Sequence, residues 1–492
     1  MKIFKNFFIH AAFLLLSIGC FSVYGQNDQY TRMKNVKADI DFAHVTGTMD
    51  FRKNHSFGTT SATTTPMPQK VVEGMVTLQP ALIRQFITEN FFNHKDTEER
   101  DYTVLDKNLQ AINSTGADIM AAICIKPKFL YPVVDQTIWK PNNIKRWQGV
   151  IEEMVKRYSV ENKYVTHWGI GNEVNIGEQG GTPHLITNAK DYFEWYKMTV
   201  EPVLKVYPGA KVGGPSWASA IDEMFFDEFI GLCAKEKVRL DFVCFNTYRD
   251  NPKIHADKAL QLKSVVDKYG SNIEIYVTEF NMRLFGGDRS PSIMESAMTS
   301  RRAAGLGAIL HDYHKTKCVK TLHYHIFDQF NDPNEFKSFY SQPYVHSRYW
   351  NDEPFRLGLF DFDGNAYPQY FVYKMLYAMA KNEVDAKVTD PDYENVRILA
   401  SRDDRYVTIF LTNYHPAADP EDITMTLNFK NAREGFAKMT VCRIDDDKRW
   451  DHLNLIPTES RNAYILDDFR FSIFVPAHSV VMVTFDYDAQ TN

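Results

Sequence analysis

Residues 164–175, Tyr164-Val165-Thr166-His167-Trp168-Gly169-Ile170-Gly171-Asn172-Glu173-Val174-Asn175, carry an apolar approach into an Asn-Glu pair. A glycine-rich loop follows, Gly177-Glu178-Gln179-Gly180-Gly181. A carboxylate at the end of an apolar strand is costly to place unless something pairs it or uses it. Glu173 therefore asks for a counterpart. The candidate is Glu279, which ends a second apolar run, Ile275-Tyr276-Val277-Thr278-Glu279-Phe280-Asn281. Whether the two meet depends on the fold.

Outward from this stretch, strand-like apolar runs alternate with helical patterns as far as about residue 330. The strand candidates are eight: residues 36–42, 82–88, 118–125, 165–171, 211–214, 241–246, 274–280 and 321–327. Between them the clearest helix carries Trp147, Val150, Ile151, Met154, Val155 and Tyr158, whose spacing puts all of them on one face. Gaps that each hold a helix imply parallel strands joined by crossovers. Eight such strands favour a closed (β/α)8 barrel over an open doubly wound sheet. Near residues 360–368 Asp363-Gly364 and Pro368 mark turns, and a helix is expected at 369–379. Beyond Asn382 the texture changes. Ile423, Met425, Leu427 and Phe429 alternate with Thr424, Thr426 and Asn428, a strand with one wet face. Runs at 406–412, 438–443, 471–475 and 480–485 continue the series and read as a β-sandwich. The expected organisation is a signal segment at 1–25, a catalytic barrel at 26–381 and a sandwich at 382–492.

Composition narrows the function. The 492 residues are 44% hydrophobic, 24% charged and 14% aromatic, enough for a large core and a second domain. A net charge of −6 argues against nucleic acid or an anionic membrane surface as the main partner. The aromatic content suits a sugar ligand and suits a large core equally well. Lys2 and Lys5 precede an apolar run at 7–18, the pattern of an export signal. Cleavage after Val23-Tyr24-Gly25 competes with lipidation of Cys20 behind Ser17-Ile18-Gly19. The run is shorter than the ~20 residues of a membrane span. The expectation is an exported protein, periplasmic or extracellular, free or tethered by lipid. The remaining cysteines, Cys124, Cys233, Cys244, Cys318 and Cys442, lack metal-site spacing, and Cys124 and Cys244 read as buried thiols. His323 and His325 share a strand face without a third ligand, so no metal is expected. Gly169-Ile170-Gly171 begins a dinucleotide fingerprint, but Val174 stands where its last glycine belongs, and no cofactor is expected.

In a barrel of this kind, catalytic groups sit at the C-terminal ends of strands. Glu173 ends the fourth candidate and Glu279 the seventh. Two facing carboxylates suit glycoside hydrolysis, one protonating the leaving oxygen while the other attacks the sugar or activates water. Taken singly, each glutamate also fits a salt-bridged strand end. Trp217 fits a sugar platform or core packing, and Tyr131 and Trp139 fit an outer subsite.

Gly171-Asn172-Glu173 after one strand and Val277-Thr278-Glu279-Phe280-Asn281 three strands later resemble the clan A retaining glycosidases. Within that clan the chain is similar to glycoside hydrolase family 39, the β-xylosidase and α-L-iduronidase family. The further stretches are Lys211-Val212-Gly213-Gly214-Pro215, Asp241-Phe242-Val243 with Thr247-Tyr248, Asp328-Gln329-Phe330 with Gly358-Leu359, and Val475-Pro476-Ala477-His478-Ser479-Val480. The resemblance spans most of residues 35–490. It implies that Glu173 is the acid/base and Glu279 the nucleophile, with carboxyls ~5–5.5 Å apart for retention. It further implies that Asn172 bonds the sugar 2-hydroxyl, Tyr248 lies beside Glu279, and Arg84 supports the nucleophile. A plain salt bridge at the barrel bottom is the other reading of Arg84. Asn246 stands where the family usually has His, Tyr324 where it has Trp, and Phe86 where a His is common. These departures put xylose and iduronate in doubt and leave the carboxylates intact. They also motivate two rivals: a non-catalytic glycan-binding protein on a glycosidase scaffold, and an endo-acting polysaccharide hydrolase.

Overall fold

The computed structural model describes residues 33–58, 64–92, 99–270, 272–283, 298–330, 332–343 and 356–489. The expected export signal and Cys20 lie outside the described residues. The first element, β1 (Lys34–Thr48), corrects one expectation. Residues 36–42 were expected to open the barrel. Instead β1 joins the C-terminal sheet, antiparallel to residues 382–388 and parallel to residues 423–430. The reason is its alternation: Val36, Ala38, Ile40 and Phe42 are buried while Lys37 is exposed and Asp39 and Asp41 half-buried. One wet face suits a sandwich strand, not a barrel strand covered on both sides.

The closed barrel runs β2 (His55–Gly58), β3 (Leu82–Ile87), β4 (Asp118–Ile123), β5 (Val165–Ile170), β6 (Lys211–Trp217), β7 (Phe242–Tyr248), β8 (Glu274–Asn281) and β9 (Lys320–His323), eight parallel strands. Its true first strand, His-Ser-Phe-Gly, is too short and too polar to stand out as an apolar run. The others are buried almost throughout, as continuous parallel-sheet runs should be. Helices at Gln69–Leu78, Thr103–Asn113, Ile144–Val155, Ala189–Val206, Glu223–Glu236, Pro252–Val266, Ser300–Thr316 and Pro368–Tyr377 surround it. The side chains of Asn143, Asn188 and Asp222 accept backbone N–H bonds at helix starts, each cap contributing about 1 kcal/mol. Trp147, Val150, Ile151, Met154 and Val155 bury one face of Ile144–Val155, and Tyr158 extends it into a π-helical turn.

The C-terminal strands are β10 (Asn382–Val388), β11 (Val396–Arg402), β12 (Tyr406–Asn413), β13 (Ile423–Lys430), β14 (Gly435–Ile444), β15 (Trp450–Asp451), β16 (Asn454–Leu455), β17 (Glu459–Ile465), β18 (Arg470–Val475) and β19 (Ser479–Asp486). With β1, eight of them form one nine-stranded sheet in the order β17-β14-β19-β12-β11-β10-β1-β13-β18. The sheet curls over its own core, which includes Ile40, Phe42, Met425, Leu427, Phe429, Val483 and Phe485. This sandwich is fastened to the barrel helix Ser300–Thr316. Arg397 donates to Asp312 at 2.8 Å, and Thr412 donates to the Ala304 carbonyl at 3.0 Å. The cysteines Cys124, Cys233, Cys244, Cys318 and Cys442 are free thiols, with Cys124, Cys233 and Cys244 buried.

Candidate active site

Closing the barrel brings the ends of β3, β5, β6, β7 and β8 to one mouth, where a hydrogen-bonded network forms around the two glutamates. Arg84 on β3 is its hub. Its Nη1 donates to Glu279 Oε1 at 3.0 Å, while Nη2 donates to Asn172 Oδ1 at 2.9 Å and Ser216 Oγ at 3.0 Å. The guanidinium lies 4.4 Å from the Phe86 ring centroid. Tyr248 at the end of β7 donates its hydroxyl to the other oxygen, Glu279 Oε2, at 2.7 Å. Glu279 is thus held at both oxygens and is only 6% exposed.

Glu173 is held differently. Asn246 Nδ2 donates to Glu173 Oε1 at 3.0 Å and to Asn172 Oδ1 at 3.3 Å. Through Asn172 and Arg84 this side chain ties Glu173 into the network that holds Glu279. Thr278 orients that amide by donating to Asn246 Oδ1 at 2.8 Å. No cation pairs with Glu173 among the described residues, and its side chain keeps partial access to solvent. Its backbone takes φ 44°, left-handed, fixed by its own N–H donating to the Ser216 carbonyl at 2.9 Å. The turn after it, Gly177–Gly180, returns under the carboxyl. Asn172 Nδ2 donates to the Gly180 carbonyl at 2.9 Å, and a Cβ on Gly180 would collide with the Glu173 side chain. Only glycine permits that approach.

The electrostatics follow from this wiring. Burial and then the charge of Glu279 push the Glu173 carboxyl up to about 8. Burial raises Glu279 as well, but Arg84, Tyr248 and Asn246 all pull it back. The pair's negative charge rests on Glu279, beside the guanidinium, and the proton on Glu173. Burial and the neighbouring Glu279 raise the Tyr248 phenol far above its ordinary range, so it stays a donor.

The structure brings together Arg84, Asn172, Glu173, Asn246, Tyr248 and Glu279. Tyr324 is buried beside them, its ring perpendicular to Tyr248 at 6.4 Å between centroids. Trp217 packs on Phe225 at 4.1 Å and is 6% exposed, a core position. Tyr131 is likewise buried, against Trp147 and His184, and Trp139 is half-buried beside it. His323 Nε2 lies 3.0 Å from Asn281 Nδ2, deep in the barrel. Sequence reasoning missed Ser216, Thr278 and Gly180. Ser216 carried a signal, since it follows Gly214-Pro215 at a strand end.

A barrel whose strand ends carry paired carboxylates defines a glycoside hydrolase of the clan A type. The model of glycosyl hydrolases family 39 matches residues 128–454, and the chain belongs to that family. Solved structures share the fold at low identity. A glucosidase from Croceicoccus marinus is 16% identical, with TM-score 0.68, over 92% of this chain and 99% of its own. A monomeric β-xylosidase from Caulobacter crescentus CB15 is 18% identical, with TM-score 0.68, over 92% and 100%. The family 39 enzyme from Xanthomonas axonopodis pv. citri is 17% identical, with TM-score 0.67, over 92% and 97%.

Proposed function

We propose that this chain is an exported retaining exo-glycosidase that removes terminal sugars, xyloside-like or related, by double displacement. The observation that carries this reading is the unequal wiring of the two carboxyls. Glu279, with Arg84 and Tyr248 on its oxygens, is suited to be the ionised nucleophile. Glu173, raised to about 8 and without a salt-bridge partner among the described residues, is suited to be the acid.

In the first step Glu173 gives its proton to the glycosidic oxygen as Glu279 attacks the anomeric carbon. The C–O bond breaks, the aglycone leaves, and a glycosyl ester forms on Glu279. That ester is neutral, so the repulsion raising Glu173 disappears and its carboxylate becomes a base. Glu173 then takes a proton from water, the oxygen attacks the anomeric carbon, and the ester bond to Glu279 breaks. Two inversions give net retention. Asn172, held by Arg84 and the Gly180 carbonyl, would bond the sugar 2-hydroxyl in this reading.

Screening a panel of 4-nitrophenyl glycosides and following the product anomer by NMR names the glycone and the stereochemistry together. Glu279→Ala should lose nearly all turnover, and azide should restore it with an inverted glycosyl azide. A variant that keeps the wild-type rate refutes the assignment. Export rests on Lys2, Lys5 and the apolar run at 7–18, and fractionation of cells with and without Cys20→Ala tests both delivery and lipidation.

A further inference from the structure

One buried carboxylate takes no part in this chemistry. Glu178 lies in the turn Gly177–Gly180, beneath Glu173, and is 3% exposed. Both its oxygens are occupied by one distant segment. Ser341 N donates to Oε1 at 2.7 Å and Gln342 N to Oε2 at 2.9 Å, while the Ser341 hydroxyl reaches the two oxygens at 3.0 and 2.8 Å. Residues 332–342 belong to the connection that leaves β9, on the far side of the barrel from β5. They begin with an Asp332-capped turn, Pro333–Phe336, whose Glu335 accepts from Thr64 after β2 at 3.1 Å and from Asn90 after β3 at 3.1 Å. Phe336, Phe339 and Tyr340 form a small buried cluster of their own. Tyr340 is 2% exposed, and burial raises its phenol well above the ordinary range.

The segment is therefore a strap. It starts beyond β9, passes the loops after β2 and β3, and is tied down beside β5. Its two acidic fasteners, Glu335 and Glu178, sit at its ends. Tied at these points, the segment covers the β2–β5 side of the barrel mouth. From the geometry we infer that this strap walls the glycone side of the site, and that Glu178 is the positioning residue that makes the enzyme exo-acting. The inference rests on the exo-glycosidase reading above and adds to it the segment that enforces exo action and the residue that holds that segment in place. Glu178 acts through the strap and touches no reacting atom. Two backbone N–H donors and a hydroxyl converging on one buried carboxylate hold the segment's end far more firmly than an exposed ion pair would.

The test compares two probes. One is the 4-nitrophenyl monoglycoside that the wild type turns over fastest. The other is the 4-nitrophenyl glycoside of the same sugar bearing one more unit at its non-reducing end, with release of nitrophenol from its internal bond as the readout. Wild type should favour the monoglycoside by at least ~100-fold in kcat/KM. Glu178→Ala should shrink that ratio by ~10-fold or more, chiefly by raising KM for the monoglycoside, with kcat within ~3-fold. Glu178→Gln, which keeps an acceptor oxygen, should recover part of the ratio. Glu335→Ala releases the other fastener, should shift the ratio in the same direction by less, and serves if Glu178→Ala fails to fold. A folded variant with an unchanged ratio, or with both probes weakened in parallel, overturns the inference. So does a wild type indifferent to the extra sugar, in which case azide rescue of Glu279→Ala still stands as the separate test of the hydrolase reading.

Discussion

The two ends of β8 put the same residue type to opposite uses. Glu274 opens the strand at the barrel bottom and Glu279 closes it at the mouth. Glu274 accepts from Lys211 Nζ at 2.8 Å and from Lys320 Nζ at 2.5 Å. Against the cost of burial those lysines bring its carboxyl down to about 2. Glu279 has one guanidinium to share with Asn172 and Ser216, and a second carboxyl, Glu173, tied to the same network through Asn246 and Asn172. Its environment leaves one proton for two acids. Two lysines hold one carboxylate at the bottom and fix the barrel, while at the mouth two carboxyls share one guanidinium and one proton and are poised for chemistry.

Several substitutions break or sharpen this contrast. The largest effect is on turnover. Glu279→Gln should lower kcat by ~10⁴-fold or more, the loss of a nucleophile, while Glu274→Gln stays within about 2-fold. Comparable losses from both would erase the distinction between the two ends. Next comes Glu173→Gln, which should cost ~10²–10⁴-fold on substrates with poor leaving groups and far less on activated aryl glycosides. In the wild type the acid must be protonated, so activity on poor leaving groups should fall as pH rises through about 8. That limb should vanish in the variant. Equal loss on both substrate types would remove Glu173 from the acid role.

Arg84→Met leaves a buried carboxylate without its cation, at a stability cost of about 3–5 kcal/mol, read by denaturant titration. It also raises the Glu279 pKa, so the acidic limb of the rate profile should move to higher pH. An unmoved limb would mean that Arg84 does not set the nucleophile's charge. The smallest effect belongs to Glu274→Gln. Its pair is a third exposed, so solvent screening holds the loss to about 1 kcal/mol at neutral pH. The sign follows from the depressed carboxyl. The stabilisation is complete above the unfolded carboxylate's ordinary range and fades as pH falls through about 2, so the gap between variant and wild type should narrow steadily in titrations run from about pH 5 down toward about pH 2.

Much of this was legible locally. Glu173 and Glu279 stood out because a carboxyl after an apolar run is conspicuous, and the runs themselves became β3 to β9 with ends shifted by a few residues. Two readings failed in instructive ways. Residues 36–42 read as an apolar barrel strand, but their strict alternation is the mark of a sheet with one wet face, and β1 joins the C-terminal sheet. β2 was passed over because four residues containing His55 and Ser56 give no apolar run; burial comes from β3 and β9 on either side. Trp217 and Tyr131 illustrate the opposite problem. An aromatic near a strand end looks the same in sequence whether it faces a ligand or Phe225, and here both rings are covered.

The sequence by itself determined the chemistry on offer: which carboxylates end which strands, where glycine lets the chain turn beneath Glu173, and where the texture changes at Asn382. Those are properties of neighbouring residues, set by hydrophobic period and backbone freedom. Only the tertiary structure decided who pairs with whom. Arg84 is 195 residues from Glu279 and Ser341 is 163 from Glu178, and Lys34 at the chain's start pairs with Ile423 near its end. Such contacts have no local signature, because closing the barrel and curling the sheet create them. With them came the division of one proton between two acids, and the strap across the mouth.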